Sequence, residues 1–169
     1  MRLNYGTAII SKLPLIDNES ISFPSTWPSP PKGFVIRQVK WNDQDVDIVS
    51  LHLDFLHANM QRQQVRMLTD KLKEQNRPLI VMGDFHCDWD GTDSPLRMLC
   101  ENLGLKAFRP KQLEGMGTFP VNIPISLHRL DWILLSSESD INMEFSLYVT
   151  IPDTLSDHLG IQSEIKMEK

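Results

Sequence analysis

The sequence predicts a single mixed α/β domain, and three observations carry that reading. Alternating or continuous apolar runs mark about seven strands, and two other stretches repeat their apolar residues with helical spacing. These elements interleave, so that hairpins mix with helical crossovers, which is the pattern of an α/β or α+β fold. A chain of 169 residues is also of the size that folds around one core, so the domain is taken to run over 1–169.

The elements follow in order. YGTAIISKLPL reads as a strand ending at Pro14. From Ser20 to Lys32 the chain reads SISFPSTWPSPPK, with four prolines and four serines, which suits neither a sheet interior nor a helix. A Pro/Ser-rich loop is therefore expected over 18–32. FVIRQVKW and DVDIVSLHL read as two strands joined by a tight turn at Asn42 and Asp43. In the second, Val46, Ile48, Ser50 and His52 share one face, and Val49, Leu51 and Leu53 share the other.

A helix is expected from about Asn59 to Asn76 on the partial stripe Met60, Val65, Leu68 and Leu72. The run from Pro78 to Met82 reads as a strand covered on both faces. The next helix has the strongest signals. Ser94 can cap it, Pro95 suits its first turn, Leu96, Leu99, Cys100 and Leu103 make its apolar face, and Gly104 can end it. A long loop from Phe108 to Leu127 follows, of the kind that often carries function. DWILLS, NMEFSLYVT and GIQSEI supply the last three strands.

Composition narrows the function. The net charge of -5 argues against a protein that grips nucleic acid by bulk charge, though not against one that meets a phosphate through a metal. Cys87 and Cys100 are too few for a disulfide framework or a cysteine zinc site, and Cys87 is expected to be a small, unreactive residue. No apolar run is long enough to span a membrane and no secretory signal can be read, so a cytoplasmic protein is expected.

Chemistry is expected where polar residues close or open apolar strands. His52 closes IVSLHL, Asp84 and His86 follow LIVM, Asp131 opens DWILL, and Asp157 and His158 precede the last strand. Each has an ordinary reading alone, as a surface histidine or as a turn-forming aspartate. Their combination changes the odds. GTAIISKLPL, SLHLDF, VMGDFHCDW, RLDWILLSS and LSDHLGIQSEI together resemble the endonuclease/exonuclease/phosphatase (DNase I-like) superfamily, in that family's order and over nearly the whole chain.

The resemblance implies a four-layer α/β sandwich of two mixed sheets with helices outside. It also implies a metal-dependent phosphoester hydrolase, of phosphodiesterase or nuclease type, using Mg²⁺ or Mn²⁺. Asp84 would orient or deprotonate the attacking water. His158 would contact the scissile phosphate, with Asp131 holding its ring. Asp157 would be a metal carboxylate. His52 would hydrogen-bond the phosphate or leaving group, and Arg37 would be a phosphate-contacting basic residue. Substrates of the family include nucleic acid, phospholipid and small phosphate esters, and Phe119 or Trp132 could contact a base or a lipid.

The sequence departs from the family in two places. The motif GDFN reads GDFH here, so that His86 stands where an asparagine amide would hold a phosphate oxygen, and it is expected to bind substrate in that place by donating from a ring nitrogen. The family also carries its principal metal ligand, a glutamate, on strands preceding GTAIISKLPL. Glu19 falls in the expected loop and does not match it. The domain is thus expected to be N-terminally truncated, with impaired activity in this short form. Its first sheet is expected to have an open edge that could pair in a homodimer or be covered by the proline-rich loop. The alternative reading is a non-catalytic relative that binds a phosphorylated ligand or a protein partner.

Overall fold

A computed structural model describes residues 6–24, 28–90, 93–107, 117–119, 128–149 and 156–167, with side chains to 143 in the fifth of these stretches. Among the described residues there are eight strands and two helices. They are β1 (Ile16–Ser22), β2 (Gly33–Trp41), β3 (Gln44–His52), α1 (Ala58–Lys73), β4 (Leu79–Asp84), α2 (Pro95–Leu103), β5 (Leu105–Ala107), β6 (Asp131–Ser136), β7 (Ile141–Val149) and β8 (Gly160–Met167).

Six strands form one mixed sheet in the order β1-β2-β3-β4-β6-β5, and β7 pairs with β8 in a second sheet. The β3–β4 pairing is parallel because α1 carries the chain across between them, whereas the other pairings are antiparallel. Asn42 and Asp43 both have positive φ, 49° and 67°, the backbone that a two-residue hairpin turn requires.

Strand alternation gives the large sheet two apolar faces. Val49, Leu51 and Leu53 point to the helices, where they meet Val65, Leu68 and Leu72 of α1 and Leu96 and Leu99 of α2. Full burial of each such aliphatic side chain contributes about 1.5–3 kcal/mol. Val46 and Ile48 point the other way, toward Ile141, Met143, Ile165 and Met167 of the second sheet. Both faces expected for DVDIVSLHL are therefore present. Helices, large sheet and small sheet make three layers among the described residues, and the second sheet is antiparallel rather than mixed.

α2 begins and ends as expected. The Ser94 hydroxyl accepts a bond from the Arg97 amide, Pro95 occupies the first turn, and Gly104 closes the helix at φ 60°. The N-terminal expectation needs correction. GTAIISKLPL is not a strand: residues 6–15 carry none, and Ile10 is exposed. A strand needs a neighbour for its backbone groups. IDNESIS finds one in β2, so β1 lies where the Pro/Ser-rich loop over 18–32 and a loop position for Glu19 were expected. Among the described residues β1 is the outermost strand on its side of the sheet, and it carries a register shift between Ile16 and Glu19 and an acidic Asp17, features that blunt an edge. The expected loop from Phe108 to Leu127 lies outside the described residues except for 117–119.

Candidate active site

Register assembles the site. His52 on β3 is the direct partner of Asp84 on β4, and Asp84 is the direct partner of Asp131 on β6. Three neighbouring strands thus set three polar side chains in a row, on the face turned toward the small sheet. Gly83 makes this pairing possible. Its φ is 143°, and a Cβ there would lie 2.0 Å from the Leu51 carbonyl oxygen, so no other residue fits.

His86 and His158 complete the cluster. His86 follows the end of β4 at φ 48°, a conformation that asparagine, aspartate and histidine adopt more readily than most residues. Its amide donates to Asp84 Oδ1 at 2.9 Å, and its carbonyl accepts from Gln61 Nε2 at 3.0 Å. Gln61 and Gln64, buried on α1, also bond the backbone of Asp54, so the helix fixes the loops after β3 and β4. His158 reaches across from the entrance of β8. Its Nδ1 lies 2.7 Å from Asp131 Oδ2, and its Nε2 is 3.9 Å from Asp84 Oδ2.

Two residues not singled out from the sequence take part. Lys32, at the end of the proline-rich stretch, is buried and donates to His52 Nε2 at 2.9 Å. Thr118 is fully buried, and its hydroxyl accepts from the amides of Leu130 and Asp131. The Thr118 carbonyl accepts from the Leu159 amide at 2.8 Å, so one residue fastens both Asp131 and the segment bearing His158. Neither had a sequence signal: a lysine after prolines looks solvated, and a threonine in a long loop looks ordinary.

The groups border an open cleft of about 480 Å³ lined by Lys32, His52, Asp84, His86, Asp131 and His158, with Phe55, Phe119, Ser156 and Asp157 at its sides. Phe119 packs on His158 with ring centroids 4.8 Å apart, and Phe55 lies 5.6 Å from the His86 ring. Asp157 is exposed at the rim, outside the two groups of converging ligand atoms, His52–Asp84–His86 and Asp84–Asp131–His158. Arg37 stands apart from the cleft, with its guanidinium donating to the carbonyls of Glu19 and Ile36. Trp132 is buried in the core and donates from its indole to the carbonyls of Cys87 and Arg129, so it does not face a ligand.

Burial, with the charge of Asp131 second, pushes the Asp84 carboxyl up to about 6. Burial and then the ammonium of Lys32 push His52 down to about 3 and His86 to about 4. His158 is raised instead, chiefly by its hydrogen bond to Asp131. The cleft therefore holds a carboxylate able to take a proton, a histidine inclined to keep one, and two neutral imidazoles.

The profile of the Endonuclease/Exonuclease/phosphatase family matches residues 2–158, and the chain belongs to that family. Members and neighbours of the family include phosphatases and nucleases, hydrolases that act on phosphoester bonds. Among solved structures, the chain is similar to a mannosyl-6-phosphatase of Bacteroides thetaiotaomicron at 17% identity and a TM-score of 0.70, over 92% of this chain and 68% of that one. It is likewise similar to TDP2 of D. rerio complexed with a single-strand DNA product, at 18% identity and a TM-score of 0.68, covering 90% of this chain and 68% of that one. A third similar structure is the human Nocturnin catalytic domain with a bound sulfate anion, at 18% identity and a TM-score of 0.67, covering 92% and 60%. No curated protein matches the chain significantly. Among the described residues, no helix is long and apolar enough to cross a membrane.

Proposed function

We propose that this chain is a divalent-metal-dependent phosphoester hydrolase of phosphodiesterase type. The observation that carries the reading is the Asp84–Asp131–His158 arrangement, in which one carboxylate and one imidazolium-favouring histidine face a common cleft. Asp84 accepts a hydrogen bond from water aimed at phosphorus and so orients it. His158, held by Asp131, donates to a phosphoryl or leaving-group oxygen. The water–phosphorus bond forms as the ester P–O bond breaks, and negative charge on the phosphoryl oxygens faces the Lys32 ammonium.

The donor set fits a divalent cation, since two carboxylates and three imidazoles converge in two overlapping groups. Asp84 with His86 and His52, or with Asp131, would hold it, and Asp157 adds negative charge at the rim. When bound, the cation neutralises phosphoryl charge and lowers the pKa of a bound water. Phe55 and Phe119 flank the cleft and suit a sugar or base next to the phosphate.

The test is hydrolysis of a chromogenic phosphodiester and of plasmid DNA with Mg²⁺, with Mn²⁺ and with chelator, beside Asp84→Asn. We expect metal-dependent turnover that falls by about 10²–10⁴ in the variant. Turnover equal in both proteins would remove Asp84 from the reaction. Binding of a phosphate ester without turnover under any of these conditions would replace the hydrolase with a binding protein.

A further inference from the structure

His52, Asp84 and His86 bring three ligand atoms into one small triangle. His52 Nε2 lies 2.9 Å from His86 Nε2, His86 Nε2 lies 3.1 Å from Asp84 Oδ2, and His52 Nε2 lies 3.5 Å from Asp84 Oδ2. Around an ion with bonds of about 2.1 Å, neighbouring ligands stand roughly 3.0–3.4 Å apart, depending on octahedral or tetrahedral angles. A triangle of the observed sides has a point about 2.1 Å from all three atoms, about 1 Å off its plane. The side chains are mostly buried, at 18%, 14% and 17% exposure. They stand on a braced frame, because His52 and Asp84 are paired in the sheet and His86 is fixed through its amide and carbonyl.

The lone pair of His52 Nε2 already serves a positive group. An ammonium only donates, so the 2.9 Å contact with Lys32 Nζ makes this nitrogen an acceptor directed into the cluster. Two imidazole nitrogens and one carboxylate are poor company for Mg²⁺, which demands oxygen ligands, and good company for zinc-like ions. We propose that His52, Asp84 and His86 form a site for a borderline transition-metal ion of the Zn²⁺ class, which this site prefers to Mg²⁺, with Lys32 as its built-in competitor. The proposal rests on the hydrolase reading for the use made of the ion, and not for its binding. His86 in place of asparagine supplies the second nitrogen and sets the preference.

Zn²⁺ affinity of the full chain is measured by calorimetry with Mg²⁺ in excess, and Co²⁺ is added as an optical probe of the ligand set. One ion should bind per chain despite the Mg²⁺, with visible Co²⁺ bands. His86→Asn should lower Zn²⁺ affinity by at least the roughly 10–100-fold that follows loss of even an outer-shell partner. Lys32→Met should tighten binding, and His57→Ala, at an exposed histidine outside the cluster, should leave it unchanged. X-ray absorption of the zinc-loaded wild-type chain should show two imidazole ligands, a result that depends on no variant folding. Displacement of Zn²⁺ by Mg²⁺ at comparable concentration, fewer than two imidazoles, or equal affinity in His86→Asn would overturn the site. Turnover enters none of these readouts, so a failure of the hydrolase reading stays distinct from a failure of this one.

Discussion

The two sides of the cleft treat the same residue in opposite ways. On one side His52 and His86 are driven to about 3 and 4, and on the other His158 is raised. Burial is the largest cause on the lowered side, with the Lys32 ammonium second, although His86 and His52 lie 3.1 and 3.5 Å from the Asp84 carboxylate. For His158 the hydrogen bond to Asp131 at 2.7 Å outweighs burial. Proton-bearing and lone-pair-bearing histidines can thus coexist within one cleft, with Asp84 between them, because one direct hydrogen bond to a carboxylate reverses what burial alone imposes.

The largest expected effect breaks the raised side. Asp131→Asn keeps the shape of the side chain but removes the charge that favours the imidazolium, and turnover should fall by about 10²–10⁴. His158 should then titrate lower by NMR. An unchanged His158 titration would refute the role given to Asp131.

A smaller effect sharpens the lowered side. A histidine lowered in the folded state stabilises the fold fully above its ordinary value, near 6.5, and that contribution is lost as pH falls toward its folded value. For His86 the window runs from about 6.5 down to about 4. Asp84, raised to about 6, works against this, since its protonation on acidification relieves a buried charge. In chelator, wild-type stability should therefore fall more steeply between pH 6.5 and 4 than that of His86→Asn, by up to about 1.4 kcal/mol per pH unit. Parallel denaturation curves for the two proteins across that range would contradict the lowered value.

The smallest effect tests how the raised side is held. Thr118→Val leaves the buried amides of Leu130 and Asp131 without their hydroxyl acceptor and should cost about 1–3 kcal/mol in denaturant unfolding. Turnover should drop less than in Asp131→Asn. A variant with wild-type stability would show that the clamp is redundant.

Much of this architecture was legible from side-chain patterning. Alternation in DVDIVSLHL identified both faces of β3, and Ser94, Pro95 and Gly104 marked both ends of α2. The strand-end residues were legible one at a time, but their adjacency was not, because pairing register depends on which strands become neighbours. The apolar run GTAIISKLPL looked like a strand for the same reason: pattern reports a capacity to pair, and the partner lies elsewhere in the chain. β5 has three residues and is too short for periodicity to reveal. Lys32 was hidden by its context, since burial of an ammonium beside histidines leaves no trace in composition.

Gly83 carries one more consequence. A slip of one residue along β4 would turn Asp84 toward the helices and seat a side chain against the Leu51 carbonyl, where only glycine has room. The same position therefore acts as a checkpoint on alignment during folding. A misregistered molecule would keep its strands, its helices and its circular dichroism, yet present Phe85 where the carboxylate belongs. For this protein, preparations should be judged by the fraction of competent sites rather than by secondary-structure content.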